Sequence, residues 1–334
     1  MKRKKIDRSV KHLCIGVEEI ANLGITLKNA ITRFGLQTTF ITFHEHLCKY
    51  QTDKNLNEKD KPLPLHILVR IITFLKAIFI YDAFLFIYGT SFLPWNIDIP
   101  ILSLCKKKIG VIFCGCDIRH PCTCTRPSCQ KKMTIYRKKW KVFIFQKYAQ
   151  VIVAHPNYDQ LLQKKYLYLF NPIDVKQYLP NIITNNATPI ILHAQSNPEV
   201  KGTKYLLDAI NRLAKEKYKF KFILLKNKPH TDIIKHLKDA DIVVDQFICG
   251  FYGMFATEAM SFGKPVLCYI NNDLIGYLPD LPIIPTHRYE IYKNLKYLIQ
   301  NPTICQEIGN KGRKFIEKYH DADQLAQTLI TSFN

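Results

Sequence analysis

The 334-residue sequence is short of acidic side chains: 27 Asp and Glu stand against 48 Lys and Arg, which gives a net charge of +21. A cationic surplus of this size favours anionic partners, such as nucleic acid, acidic lipid head groups or phosphorylated metabolites. The chain also lacks any zinc-finger, RRM or helix-turn-helix signature, and its basic residues are scattered through α/β elements. We therefore expect no nucleic-acid partner and keep nucleic-acid binding as the minor alternative.

Long uncharged apolar runs are missing as well. The most membrane-like stretch, Leu65–Gly89, is interrupted by Arg70, Lys76 and Asp82, whereas a membrane span needs ~20 nearly uncharged residues. We expect a helix followed by a buried strand, with an Arg and Lys face able to contact an anionic membrane. The basic N-terminus precedes only a short apolar run, so no secretory signal is expected. The predicted location is cytoplasmic, and peripheral on the inner face of a membrane if the basic runs of the first half bind acidic lipid; an ordinary solvated surface is the alternative.

The 11 cysteines lack the paired C-x2-C spacing of a strong zinc signature. In a cytosolic chain they are expected to be thiols rather than disulfides. Five of them are crowded into one stretch, namely Cys114, Cys116, Cys122, Cys124 and Cys129. A structural zinc site formed by Cys122, Cys124, Cys129 and His120 is one hypothesis, and free thiols or a local disulfide are the alternative.

Short apolar strands alternate with helical segments through both halves of the chain. Continuous apolar strands in a β-α-β order are typical of a parallel sheet that is covered on both faces. A segment with prolines and asparagines interrupts this order, which then restarts. The sequence predicts an N-terminal Rossmann-like domain over 1–172, a linker over 173–189, a C-terminal Rossmann-like domain over 190–313 and a C-terminal helix over 314–334.

The segment from Cys249 to Ile270 combines a glycine loop with a helix start. Gly250 and Gly253 follow a predicted strand, and glycine lets the backbone approach a ligand closely. A helix predicted to begin near Met254 would offer free N–H groups and the positive end of its dipole to a phosphate. Glu258 lies one turn further on, where it could accept hydrogen bonds from ribose hydroxyls. The simpler interpretation is a βαβ turn with a solvated glutamate.

Two other strand ends carry residues that suit the same ligand. Lys201 and Gly202 come just before a helix at the first βα junction of the C-terminal domain, so the ammonium can point at the same anion. Asp245 and Gln246 end the strand that leads into the glycine loop. Because ligands of such sheets bind at the carboxyl ends of the strands, these residues form one predicted site.

This pattern resembles the donor half of the retaining, glycogen-synthase-like glycosyltransferases with the GT-B fold. The C-terminal part of the family's sequence pattern is matched by Gly253, Glu258, Ala259, Met260, Gly263, Pro265 and Val266. The resemblance covers essentially the whole chain. It implies an α/β protein with two Rossmann-like domains facing across a cleft and a C-terminal helix that returns to the N-terminal domain. It also implies sugar transfer from a nucleotide donor, with no metal or other cofactor required.

The resemblance assigns roles to single residues by position. Lys201 would contact the donor diphosphate, Glu258 would hold the ribose, and Asp117 is the third catalytic candidate. The implied donor contacts are Gln195, Lys201, Gly202, Asp245, Gln246, Gly253, Met254, Phe255, Ala256, Thr257 and Glu258. On the acceptor side the candidates are Gly16, Asp117 and Arg119; a guanidinium can hold a phosphate or an acidic acceptor bidentately. A purely structural loop cap is the alternative role for Asp117.

Three positions depart from the family pattern. Gly250 stands where the first Glu of a Glu-x7-Glu pair is expected, and a glycine has no side chain for a sugar hydroxyl. Gln195 stands where the family has an arginine. Cys114 replaces a histidine, which removes a hydrogen-bonding group that works at neutral pH.

The sequence therefore predicts a hexosyltransferase-type enzyme. It would move a sugar from a UDP- or GDP-linked donor to a glycan or lipid-linked acceptor with retention of configuration. The alternatives are a catalytically silent GT-B protein and a sugar-nucleotide epimerase, for which Gly250 and Cys114 are the main support.

Overall fold

The computed structural model describes residues 10–45, 50, 52–58, 62–115, 117–119, 132–155, 162–181, 186–195, 197–278 and 280–333. The chain divides into two compact units. One unit comprises Met1–Pro172 together with Ala322–Asn334, and the other comprises Ile173–Asp321. Each unit is an α/β structure built on its own parallel sheet.

In the described part of the first half, six strands and four α-helices belong to the first unit. Its strands are β1 (His12–Val17), β2 (Gln37–Thr42), β3 (Lys54–Asn55), β4 (Ala83–Ile87), β5 (Lys108–Ile112) and β6 (Val151–Val153). Its helices are α1 (Leu23–Arg33), α2 (Leu63–Ile80), α3 (Asp98–Leu104) and α4 (Lys132–Tyr148). The strand order is β3-β2-β1-β4-β5-β6 with parallel pairs throughout. This is the Rossmann order, and its strand order reverses between β1 and β4.

The second unit has a five-stranded sheet. Its strands are β7 (Ile190–Gln195), β8 (Lys221–Lys226), β9 (Ile242–Val244), β10 (Val266–Cys268) and β11 (Ile284–Pro285). Its helices are α5 (Pro198–Lys201), α6 (Thr203–Lys215), α7 (His230–Asp239), α8 (Met254–Ser261), α9 (Asn272–Ile275), α10 (Ile291–Gln300) and α11 (Pro302–Tyr319). The order β11-β10-β9-β7-β8 is that of a flavodoxin-like sheet, and it reverses between β7 and β9.

The last helix, α12 (Ala322–Ser332), returns to the first unit, as predicted. It packs beside α1, where Arg33 Nε donates to Asp323 at 2.7 Å. The helix begins at Ala322 and not at the predicted residue 314, because α11 continues to Tyr319. His320 then ends α11; it is fully buried, and its Nε2 lies 3.0 Å from the Tyr252 hydroxyl.

The described part of the predicted linker over 173–189 packs on the second unit. Arg313 donates to the carbonyls of Val175 at 3.1 Å and Ser261 at 2.9 Å. The Asn181 N–H donates to the Phe262 carbonyl at 3.1 Å. These bonds explain why the division into units falls before this segment.

Two hydrophobic clusters cover the opposite faces of the first sheet. One is formed with α1 and α12, through residues such as Ile31 and Leu329. The other is formed with α2, α3 and α4, through Phe74, Leu102 and Phe145. The three helices α2, α3 and α4 therefore share one face of the sheet.

Candidate active site

Asp245 connects two of the predicted donor-site segments of the second unit. It directly follows β9, is fully buried, and accepts a hydrogen bond from the Gly253 N–H at 3.1 Å on one carboxylate oxygen. The other oxygen accepts from Lys201 Nζ in a close ion pair. Lys201 ends α5, which follows β7, so the pair spans the point where the strand order reverses. Ligands of open α/β sheets bind at that point.

The start of α8 adds N–H groups that, among the described residues, have no hydrogen-bond acceptor. Gly253 is the residue before the helix, and the first intrahelical bond runs from the Thr257 N–H to its carbonyl at 3.1 Å. The N–H groups of Met254, Phe255 and Ala256 therefore have no acceptor within the helix. The Phe255 ring lies 5.9 Å from Lys201 Nζ. An ammonium beside a helix N-terminus is a combination that binds anions.

Gly250 lies in this loop with a backbone that disfavours a side chain. Its φ is +70°, in the left-handed region. A Cβ built on it would lie 3.1 Å from Cβ of Asn271, whose N–H donates to the Gly250 carbonyl at 2.8 Å. The loop conformation at position 250 therefore suits glycine and disfavours the glutamate that the family pattern has there.

Glu258 is buried and already has partners within the second unit. Only 4% of the residue is exposed, and its Oε1 lies 2.6 Å from His230 Nε2 at the start of α7. The Tyr178 hydroxyl donates to the same oxygen at 3.4 Å. Burial and the nearby Glu258 carboxylate raise the pKa of Tyr178. Among the described residues, no side-chain or loop hydrogen bond reaches Oε2.

The two glutamines of the predicted site are engaged in bonds within the unit. Gln195 accepts from the Thr203 hydroxyl at 2.6 Å, and the same hydroxyl lies 2.9 Å from His193 Nε2. Gln246 Nε2 donates to the Phe251 carbonyl and so braces the glycine loop. Gly202, at φ +71°, joins α5 to α6, which places it next to Lys201. The structure thus brings together Lys201, Asp245, Gly253 and the start of α8, while Gln195 and Gln246 support the loops around them.

Asp117 caps the loop after β5 in the first unit. Its buried carboxylate accepts from the Gly115 N–H at 2.6 Å and the Cys114 N–H at 3.1 Å. Burial raises its pKa, against the opposing effect of the Lys141 ammonium. These bonds match the loop-cap alternative, and a role in transfer stays a prediction.

The other acceptor-side candidates lie in β1 and in the loop after β5, and their role in transfer stays a prediction. Gly16 lies within β1, where a Cβ would come 2.9 Å from the Ile41 carbonyl oxygen of the next strand. The Arg119 carbonyl accepts from Lys138 Nζ at 3.1 Å. Burial, and then the charge of Arg119, lower the pKa of His155 to about 3.

Sequence reasoning missed several polar residues of the two units. In the first unit Glu18 follows β1 and lies 3.5 Å from His44, and burial raises its pKa. Lys141 in α4 donates to the Tyr88 carbonyl at 2.9 Å. Glu18 could have been suspected from its place at a strand end, but Lys141 and His230 belong to no motif and are brought in only by the fold.

The proposed zinc ligands Cys122, Cys124, Cys129 and His120 lie outside the described residues. Among the residues that are described, no group of three or more His, Cys, Asp or Glu side chains could hold a metal ion.

No protein-family model and no curated protein matches the chain. Solved structures match it over nearly its whole length at low identity. HepE of Anabaena in complex with UDP-glucose has a TM-score of 0.67 at 13% identity, over 97% of this chain and 100% of that one. Sucrose-phosphate synthase of Thermosynechococcus elongatus has a TM-score of 0.64 at 13% identity, over 95% and 96%. A putative UDP-N-acetylglucosamine 2-epimerase of Listeria monocytogenes has a TM-score of 0.61 at 12% identity, over 96% and 95%.

Proposed function

Starting from the GT-B fold that this chain shares with those structures, we propose that it is a glycosyltransferase. It moves a sugar from a UDP- or GDP-linked donor to a glycan or lipid-linked acceptor with retention of configuration. The observation that carries the proposal is the junction in the second unit, where buried Asp245 joins Lys201 to the loop that starts α8. The similarity to HepE in complex with UDP-glucose supports a nucleotide-sugar as the ligand.

In the proposed reaction, the donor diphosphate binds Lys201 and the free N–H groups at Met254 and Phe255. Departure of the nucleotide leaves negative charge on the diphosphate, and fixed positive groups stabilise that charge as it develops. The Lys201 ammonium and the N-terminus of α8 supply such groups without a metal cation, so we propose that no metal is needed. The acceptor attacks on the leaving-group face, which requires no protein nucleophile.

Glu258 holds the donor ribose in this proposal. Its Oε1 is occupied by His230 and Tyr178, while Oε2 accepts from a ribose hydroxyl. His230 and Tyr178 then act as positioning residues, because they fix the carboxylate by hydrogen bonds of 2.6 and 3.4 Å. Asp117 and Arg119 stay candidates for the acceptor side, and a cytoplasmic location at a membrane stays part of the proposal.

A nucleotide-sugar panel tests the proposal. UDP, GDP and their sugar conjugates are first screened for a rise in melting temperature, since a ligand that binds only the folded protein stabilises it. Each stabilising donor is then incubated with the enzyme and candidate acceptors, and acceptor-dependent release of UDP or GDP is measured. Anomeric NMR of the product reports retention. No stabilisation by any nucleotide diphosphate would reject the assignment.

A sugar-nucleotide epimerase is the second candidate, because the putative 2-epimerase is among the matching structures and Gly250 replaces the sugar-contacting glutamate. The same incubations separate the two activities. An epimerised nucleotide-sugar without transfer to any acceptor would favour the epimerase. Donor binding with neither reaction would indicate a catalytically silent protein.

A further inference from the structure

Helix α2 presents an apolar face to solvent. It buries only Thr73, Phe74 and Ala77 against the first sheet. Its exposed large apolar side chains are Leu63, Leu65, Ile67, Leu68, Ile71, Ile72, Leu75, Phe79 and Ile80. Among the helices that the structure describes, α2 is also the one that is long and apolar enough to cross a membrane. An exposed apolar surface of this extent marks an interaction site in a soluble protein.

The apolar surface extends beyond α2. Because α2, α3 and α4 pack on the same face of the sheet, their outer sides belong to one surface. The turn before α3 comprises residues 94–97. The exposed apolar side chains on α3, on α4 and on this turn are Trp95, Ile97, Ile101, Leu104, Tyr136, Trp140 and Phe143. Trp140 Nε1 donates to the Trp95 carbonyl at 2.8 Å, which joins α4 to that turn. We call the exposed side chains of α2, this turn, α3 and α4 the apolar face.

The charge on the apolar face has one sign. Its four elements carry a single carboxylate, Asp98, which is fully buried and accepts from the Phe92 N–H at 3.0 Å. The cations Lys76, Arg137, Lys139 and Lys147 lie among the apolar side chains and are exposed. Apolar side chains interspersed with Trp, Lys and Arg, without exposed carboxylates, match the boundary between acyl chains and anionic head groups.

We propose that the apolar face docks on the surface of a bilayer that contains anionic lipid, with α2 lying along the interface. A second copy of the chain is a poorer occupant, because two such faces would bring their cations together. Insertion of α2 across the bilayer is disfavoured by its attachments. Arg70 Nε donates to buried Glu58 at 2.7 Å, and Phe74 packs against Phe92 of the core. The inference does not rest on the proposed transferase activity, since membrane binding needs no donor.

Vesicle flotation with the full chain tests the docking. Binding to phosphatidylcholine vesicles is compared with binding to vesicles that contain about 30% of the anionic lipid phosphatidylglycerol, whose negative surface potential attracts basic segments. Both measurements are made without any nucleotide. We expect stronger binding to the anionic vesicles and weaker binding as salt rises. Equal binding to both compositions, or no binding to either, would overturn the proposal.

Charge-matched variants locate the docking surface. Leu75→Glu with Phe79→Glu places two carboxylates on the apolar face, and the vesicle partition coefficient should fall at least about tenfold. Ile275→Glu with Tyr297→Glu is the control, because both residues are about half exposed on the second unit and the charge change is the same. The proposal fails if the control pair reduces binding as much as the α2 pair. Circular dichroism spectra and melting temperatures check that both variants are folded.

The cations are tested separately. Replacing Arg137, Lys139 and Lys147 by Gln should lower binding to anionic vesicles roughly 10- to 100-fold, since each cation near the surface contributes to attraction. Replacing the exposed Lys235, Lys311 and Lys314 of the second unit removes the same charge and should change binding far less.

Sedimentation equilibrium tests whether a second copy of the chain covers the apolar face instead. It compares the wild type with the α2 pair, which is Leu75→Glu with Phe79→Glu. A dimer that only the α2 pair dissociates, without vesicle binding, would replace the membrane with a second copy.

Carbonate extraction distinguishes docking from insertion. Protein docked on the surface should be released from vesicles at high pH, whereas a spanning helix stays in the pellet. Retention of the wild type after extraction would overturn interfacial docking in favour of insertion.

Discussion

In each unit a helix begins after a strand that borders the point where the strand order reverses. The two helices differ in what their first N–H groups bind. In the first unit the start of α1 is occupied by the chain itself. Glu19, which is 5% exposed, accepts from the N–H groups of Gly24 at 3.2 Å and Ile25 at 3.0 Å. In the second unit the carboxylate of Asp245 takes the Gly253 N–H, just before α8, and pairs with Lys201.

The two helix starts differ in the role of the nearby acidic side chain, which is Glu19 in the first unit and Asp245 in the second. Glu19 fills the anion position at α1, so this helix start has no capacity left for a phosphate. Asp245 leaves the N–H groups of the first turn of α8 without an acceptor among the described residues, and its partner Lys201 brings an ammonium next to them. The same α/β architecture therefore carries a self-capped helix in one unit and a candidate anion site in the other.

The largest effect is expected for Lys201→Ala. In the proposed reaction the ammonium stabilises charge on the departing diphosphate, and loss of one such group should lower kcat by about 10²- to 10³-fold. Steady-state kinetics with the donor that the panel identifies measures the change. Lys204→Ala is the matched control, because this lysine is exposed on α6 only three residues away and should leave kcat nearly unchanged.

Removal of Lys201 also leaves buried Asp245 without its cation, which could lower activity through unfolding. The double variant Lys201→Ala with Asp245→Asn removes that unpaired charge while keeping an acceptor for the Gly253 N–H. It should regain stability relative to Lys201→Ala but not activity. Recovery of wild-type kcat in the double variant would argue against a role for Lys201 in transfer.

The next largest effect is a pH dependence of the free energy of unfolding, which arises from buried His193. His193 is fully buried between the Val244 carbonyl and the Thr203 hydroxyl, and burial lowers its pKa to about 4. Between pH 4 and about 6.5 the unfolded chain binds a proton at this histidine that the folded chain does not, so stability rises with pH and is lost as pH falls. The contribution across that window is roughly 3 kcal/mol.

Denaturant unfolding at pH 7 and pH 5 measures this dependence. His193→Asn should be less stable than the wild type at pH 7, but its free energy of unfolding should fall less between pH 7 and pH 5. An identical fall in both proteins would mean that His193 does not contribute to the acid sensitivity.

Much of the fold was predictable because its strands are short apolar runs between polar segments. The run over 83–87 is entirely buried as β4, and the predicted helix start at Met254 is where α8 begins. The end of the second unit was harder to predict. Helical periodicity continues past residue 314, and only the burial of His320 and its contact with Tyr252 reveal where α11 ends.

The site was predictable in its residue types but not in its contacts. A strand-end Asp, a Lys before a helix and a glycine loop were evident, yet the Lys201–Asp245 pair joins positions 44 residues apart and depends on β7 lying next to β9. The partners of Glu258 were not predictable either. His230 and Tyr178 reach its carboxylate from segments that carry no recognisable motif.

Restoring the family glutamate should cost stability. Gly250→Glu places a side chain at φ +70° with its Cβ about 3.1 Å from Cβ of Asn271, and we expect a loss of about 2 kcal/mol. Gly250→Ala should lose nearly as much, since the strain arises at Cβ. Gly276→Ala is the control, because its φ is −62° and a Cβ there meets nothing within 4 Å, so stability should stay level or rise slightly. A Gly250→Glu variant with wild-type stability and faster transfer would mean that the glutamate is simply missing and not excluded by the loop.

The smallest effect is expected in the self-capped helix of the first unit, for Glu19→Gln. Burial raises the pKa of Glu19 although several backbone N–H groups favour its charged form. A raised pKa means that the folded state disfavours the charge, so this residue makes the protein less stable as pH rises above about 4.5.

Glutamine at position 19 keeps one acceptor oxygen for the α1 N–H groups and carries no charge, so the net loss of stability at pH 7 should be about 1 kcal/mol or less. Glu19→Ala, which leaves both N–H groups without an acceptor, should cost more, and the pair of variants separates the charge from the hydrogen bonds. Donor binding should be unchanged in both, because the proposed anion site belongs to the second unit; weaker donor binding in Glu19→Gln would show that the contrast between the two helix starts is drawn wrongly.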